Sequence, residues 1–225
     1  EWKTSNLISQ AIDKAKSKNA LNTITFSLLY ATDLADRLNK EIIPALKAGF
    51  VVIADRYYYT AFARDIVRGA ESDWVKKLYG FAPEPDLVFY MHMNLDELLK
   101  RIITNRGGLD FYESGRDIGM STDLYQSFKL YQSKVLHEYE RMSSEYGFKN
   151  IDGGLACEAV QKKLRSEMRQ LLNHPSNKSE DIKDGEMSFH PDPQAHVQAN
   201  STAAQGVPIF PPSSVSIASA TSIIL

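Results

Sequence analysis

Phe50-Val-Val-Ile-Ala54 is an unbroken apolar run of strand type that ends in Asp55-Arg56-Tyr57, and no other segment restricts the fold as tightly. A strand that is apolar without alternation is covered on both faces, which is the mark of a parallel sheet lined by helices. In such sheets ligands bind beyond the carboxyl ends of the strands. There an Asp can hold a cation, and an Arg can clamp a phosphoryl group through its planar fork of donors. A solvated Asp-Arg pair at a strand end is the plainer alternative.

Two further segments repeat the strand pattern: residues 86–93, which follow Pro83-Glu-Pro85, and the short stretch 148–152. Helical periodicity fills the intervals. It runs from a Ser5 cap to about residue 18, over about 23–47 with a bend at Pro44 and a stop at Gly49, and over 59–69 and 71–80. It continues over 95–104 behind an Asn94 cap, over 123–146 and over 155–172. A Gly-rich, charged loop occupies 105–121. Strands separated by helices predict an α/β fold with three layers, helices on both faces of a parallel sheet. This domain spans residues 1–172. From 173 onward Ser, Pro, Gln, Asn and Asp dominate, and six of the nine prolines lie there, so 173–225 is expected to be a disordered, low-complexity tail. Its apolar end, 215–225, is expected either to dock on a partner or to stay loose.

The net charge of −2 argues against a nucleic-acid polymer as partner. The single cysteine, Cys157, excludes an internal disulfide, fits a reducing, cytoplasmic compartment, and is expected to serve packing alone. No apolar run reaches membrane-spanning length.

The order of apolar strand, Asp-Arg-Tyr, helix, Pro-Asp-Leu-Val-Phe-Tyr strand, capped helix, Arg-rich loop and long helix resembles the thymidylate kinases among the P-loop nucleoside monophosphate kinases. Ile43-Pro-Ala-Leu-Lys-Ala-Gly49 leading into the first strand is close to their pattern. The resemblance covers about residues 1–172. It implies a P-loop NTPase-type sheet and transfer of the ATP γ-phosphate to dTMP or a related deoxynucleotide, with Mg2+. Arg56 matches the family's phosphate-binding arginine and Asp55 its neighbouring acid, which is also the candidate Mg2+ ligand. Tyr57 and Thr60 fall near the acceptor, although a Thr after a turn is also an ordinary helix cap. Tyr30 matches the ring that stacks on the base, with a core role as the alternative. Leu34 stands where the family usually has an arginine, and Arg37, further along the same helix, is the substitute. Where Ala-Tyr-Gln is common the chain reads Ala63-Arg64-Asp65, which places Arg64 in the acceptor site and leaves the base preference open. The stretch 101–116 matches the mobile lid. Arg106 and Arg116 are its candidate catalytic cations, and Arg101, Tyr112 and Glu113 are further lid residues; a solvated charged face is the alternative reading of the arginines. Phe111 replaces one lid arginine. The family also pairs through its helices, so a homodimer is expected.

The sequence contains no Gly-x-x-x-x-Gly-Lys-Ser/Thr, the loop that cradles ATP phosphates. In the family it follows the first strand, so the sheet is expected to lack its first two strands. The chain is then expected to be a fragment of a longer product in which about forty preceding residues carry that loop. By itself it would be inactive. The competing reading is a degenerate kinase fold kept for nucleotide binding or dimerisation. Because the family's first strand lies between the strands at 50–54 and 86–93, those two are expected to be split apart.

Overall fold

The computed structural model describes residues 5, 8–18, 22–106 and 108–173 and the backbone of 219–224. Its helices are α1 (Ser9–Lys18), α2 (Thr23–Arg37), α3 (Ile43–Lys47), α4 (Tyr58–Val67), α5 (Ser72–Leu78), α6 (Leu95–Arg106), α7 (Leu124–Tyr146) and α8 (Cys157–Asn173). The strands are β1 (Val52–Asp55), β2 (Leu87–His92), β3 (Lys149–Asp152) and β4 (Ser219–Ile224).

The helix ends follow from local chemistry. The Asn22 side chain accepts the Thr25 amide at 2.8 Å and the Asp123 side chain that of Gln126 at 2.8 Å, each satisfying an orphan donor at a helix start. Gly49, at φ 80°, ends α3, and the Phe50 amide reaches back to the Ala45 carbonyl at 3.0 Å. The bend expected near Pro44 is a π-helical turn over Leu38–Ile42. Proline offers no amide to the carbonyl four residues earlier and its ring crowds that carbonyl, so the helix widens by one residue and continues as α3.

The sheet order is β1-β4-β2-β3. β2 and β3 are parallel, with Phe89 opposite Lys149 and Met91 opposite Ile151. β1 and β2 are not neighbours, as expected. Between them lies β4, antiparallel to both, with Ala54 and Val88 flanking Ser222. The tail was expected to contribute nothing to the sheet, yet its backbone supplies this strand. The physical reason is that two apolar strands with open inner edges accept any extended segment able to complete the ladder. Residues 174–218 lie outside the described part.

Alternate residues of β2 enter different layers. Val88 and Tyr90 join the main core with Ala54 of β1, the buried face of α4, and Tyr131, Val135, Tyr139 and Met142 of α7. Phe89 faces the other way and packs with Ile151 against Val160, Leu164 and Met168 of α8. The two sheet faces are therefore covered at β2. At β1, which forms the sheet edge, Ile53 is 60% exposed, so the expectation of two covered faces fails there. Cys157 is exposed at the start of α8 rather than packed. Among the described residues no helix is long and apolar enough to cross a membrane.

If β4 completes the sheet, Ser222→Pro removes a ladder donor from a central strand and lowers stability by about 1–3 kcal/mol. Urea unfolding of the wild type and the variant measures this; an unchanged midpoint would show that the pairing contributes nothing.

Candidate functional site

The site begins where β1 stops. Arg56 follows Asp55 with φ at 60°, the one non-glycine residue with positive φ among those described. A left-handed conformation costs a residue with a Cβ about 1–2 kcal/mol, and such strain concentrates at functional positions. The sharp turn allows α4 to start two residues later. Tyr57 through Ala63 are all buried, and Arg64 then emerges half-buried from the same helix.

Burial pushes the Arg56 guanidinium below its ordinary value, and the nearby positive charge of Arg64 adds to that; Glu113 and Asp55 oppose it. Burial also works against the Arg64 charge, but Tyr131, Glu113 and Tyr139 outweigh it and the pKa is raised. Of those three, only Glu113 is charged at neutral pH. The charges of Arg56 and Arg64 therefore bear on one another, and one carboxylate from the 110–122 loop, Glu113, acts on both. A multiply charged anion would relieve their mutual repulsion.

A cluster of rings joins α2 to the same loop. Phe26 and Tyr30 of α2 lie 5.0 Å apart, and Phe26 stacks on Tyr112 at 5.8 Å and 13°. Phe111 meets the edge of Tyr112 at 5.4 Å. The loop therefore reaches α2, and Tyr30 shares its aromatic cluster.

The other expected residues have these surroundings. Tyr57 and Thr60, expected near the acceptor, are buried: the Tyr57 hydroxyl donates to the Pro83 carbonyl at 3.1 Å, and Thr60 accepts from the Tyr139 hydroxyl at 2.9 Å. With α4 starting directly at the strand end, its first two turns have to fill the core. Leu34 is buried too, so the position usually held by an arginine serves packing, and Arg37 sits in the last turn of α2. Arg101 pairs with Glu97 at 3.1 Å and donates to the Gly153 carbonyl at 3.1 Å, which ties α6 to the turn after β3. Arg116 folds onto the carbonyls of Ser121 and Thr122 within its own loop. Arg106 ends α6; its side chain and Gly107 fall outside the described residues.

The principal residue missed from sequence is Arg68, whose Nε donates to Asp117 at 2.8 Å and Nη2 to the Tyr112 carbonyl at 2.9 Å. Arg64 and Arg68 are four apart on one helix face, which was the available signal. Asp65, between them, is 5% exposed, and its Oδ2 has no hydrogen-bond partner. Burial raises its pKa to about 6, against the lowering effects of Ser27, Arg68 and Arg64. Gly115, at φ 66°, lies against Tyr131, so a Cβ there would sit 2.7 Å from the tyrosine Cβ.

Electrostatically coupled guanidiniums, an acid at a strand end and a ring cluster on the neighbouring loop suit a ligand with a planar base and a phosphate. Comparison with known proteins agrees. The thymidylate kinase family profile matches residues 3–164. A "Probable thymidylate kinase 2" of Saccharolobus solfataricus is 41% identical over 175 residues, 77% of this chain and 82% of that protein. A "Probable thymidylate kinase" of Pyrococcus horikoshii is 42% identical over 148 residues, 66% of this chain and 64% of that protein. A "Thymidylate kinase" of Brachyspira hyodysenteriae is 31% identical over 101 residues, covering 50% of that protein.

Two outcomes are expected. Gly115→Ala destabilises the fold by about 1–3 kcal/mol, from overpacking on Tyr131 and the left-handed backbone, measured by urea unfolding. Asp65 binds its proton more tightly folded than unfolded, so its contribution is full below about pH 4 and is lost as pH rises through about 6. Asp65→Asn should accordingly leave stability at pH 4 nearly unchanged and raise it by about 2–3 kcal/mol at pH 8. Thermal melts across that range measure the difference, and a parallel pH profile for both proteins would count against it.

Proposed function

We propose that this chain, which belongs to the thymidylate kinase family, binds dTMP as the phosphoryl acceptor of a nucleoside monophosphate kinase reaction. The observation that carries this reading is the mutual electrostatic action of Arg56, at the end of β1, and Arg64, both under the charge of Glu113, while Tyr30 shares a ring cluster with Tyr112 of the same loop. Arg56 and Arg64 hold the acceptor phosphate. Tyr30 offers a face to the base, a contact worth about 1–3 kcal/mol that favours a nucleotide over a bare phosphate.

The chemistry makes few demands on a nucleophile. A phosphate oxygen of the acceptor displaces the leaving diphosphate in line, and catalysis consists of orientation and of cations around the charge in transfer. ATP supplies the phosphoryl group, and Mg2+ supplies charge neutralisation. Asp55, exposed at the strand end, suits a magnesium ion held chiefly by phosphate oxygens and water, which needs only one or two carboxylates. Among the described residues there is no group of three or more His, Cys, Asp or Glu side chains that would form an all-protein metal site. Arg106 and Arg116 are the loop cations proposed for the transferring group. Glu113 keeps Arg56 and Arg64 close despite their like charge, so the acceptor meets a preorganised pair. A homodimer through α2, where Ile24 and Leu28 are exposed, belongs to the same proposal.

Calorimetric titration of the chain with dTMP tests the acceptor reading directly, without ATP. Arg56→Ala and Arg64→Ala should each weaken binding by about 10–100-fold, the value of a charged hydrogen bond. Thymidine, which lacks the phosphate, should bind wild type and both variants alike. Equal affinity of dTMP for wild type and variants would remove both arginines from the acceptor site.

A further inference from the structure

Three successive carbonyls of the 110–122 loop each accept a hydrogen bond from a different side chain on the body of the protein. Tyr112 accepts from Arg68 Nη2 at 2.9 Å, Glu113 from Gln132 Nε2 at 2.7 Å, and Ser114 from Ser127 Oγ at 2.7 Å. The segment expected to be a mobile lid is therefore stitched to α7 and to the end of α4 at the residue whose carboxylate acts on Arg56 and Arg64.

We propose that Arg68 is a positioning residue: it fixes the 110–122 loop so that Glu113 is presented to Arg56 and Arg64, and it acts on the acceptor through them. This rests on the acceptor reading above. Arg68 is the C-cap of α4, one turn beyond Arg64 on the same helix face. Its fork is fully committed. Nε meets Asp117 Oδ2 at 2.8 Å, Nη2 lies 3.4 Å from Asp117 Oδ1 besides reaching Tyr112, and Nη1 meets the Tyr131 hydroxyl. The guanidinium also lies over the Tyr131 ring, 4.8 Å from its centre. The Arg68 and Asp117 side chains are only 8% and 10% exposed.

Two features separate this from an ordinary buried ion pair. Arg68's acidic partner and one of its carbonyl partners both lie in the loop, so breaking the pair frees the loop more than the core. Gly115 adds the second: its missing side chain lets the loop lie against Tyr131, the same residue that accepts from Arg68. The loop backbone at Glu113 is thus held between Arg68 and Ser127, and its own carbonyl is held by Gln132, which fixes the point from which the carboxylate extends. A lysine carries the same charge but lacks the fork, and cannot meet Asp117 and the Tyr112 carbonyl together.

The full chain tests this with two readouts. In amide hydrogen exchange without ligand, Arg68→Lys should speed exchange of residues 110–118 at least tenfold while β1 and β2 keep wild-type protection. In calorimetry, Arg68→Lys should weaken dTMP binding about tenfold in the wild-type background and not further in Glu113→Gln, because it acts through that carboxylate. A merely structural arginine would show additive losses in that cycle and faster exchange throughout the core; either result overturns the proposal, as does an unchanged loop. Asp117→Asn, which weakens the same contact from the loop side, gives the same readings should Arg68→Lys fail to fold. Failure of the wild type to bind dTMP would sink the acceptor reading and the effect on the acceptor with it, while the exchange measurement still decides whether Arg68 holds the loop.

Discussion

The left-handed turn at Arg56 is the constraint from which the rest of the molecule follows. Because the backbone reverses within two residues of the strand end, α4 starts at once and runs through the core instead of over the surface. Seven consecutive residues, Tyr57 to Ala63, are buried as a result, and the helix surfaces again at Arg64. A looser connection would let α4 slide relative to β1 and uncouple Arg64 from Arg56. The strain at Arg56 persists because the packing of Tyr57, Tyr58 and Tyr59 overdetermines it: each ring lies 4.5–4.6 Å from the next.

Electrostatics and packing then oppose one another within α4. The helix carries Arg64, Asp65 and Arg68 in one turn, beside a core of tyrosines and aliphatic residues. Desolvation disfavours every one of these charges, and each is managed differently. Arg68 is neutralised by Asp117, Arg64 is balanced by Glu113, and Asp65 keeps a carboxylate oxygen without a partner and a raised pKa. A turn with three ionisable groups, one buried and two partly so, is a poor choice for stability alone. It is understandable as a platform whose charges serve a ligand at one end and a loop at the other.

What could be read from the chain was what depends on neighbours in sequence. The apolar run into Asp55-Arg56, the Asn94 cap, the glycine stop at 49 and the long helix ending at Gly147 all rest on local rules, and the structure has each of them. The burial of Tyr57 and Thr60 was not legible because the same residue types serve a surface or a core, and only the direction in which α4 leaves the strand sets how deeply they sit. Arg68 was missed because its partners, Asp117, Tyr112 and Tyr131, lie 44 to 63 positions away. β4 could not be placed at all: Ser-Ala-Thr-Ser-Ile-Ile has little of the strand character of β1, and its location is set by the unfilled edges it meets.

The position of β4 also sets a clock. The strand that joins β1 to β2 is drawn from the far end of the chain, so Val52 waits for Ile224 before its inner edge is paired. During synthesis the segments around α4 and α7 can collapse early, since their contacts are helical and comparatively short in range. The pairing through β4 can form only once the residues near 220 have left the ribosome. A contact of such long sequence separation forms late and slows folding.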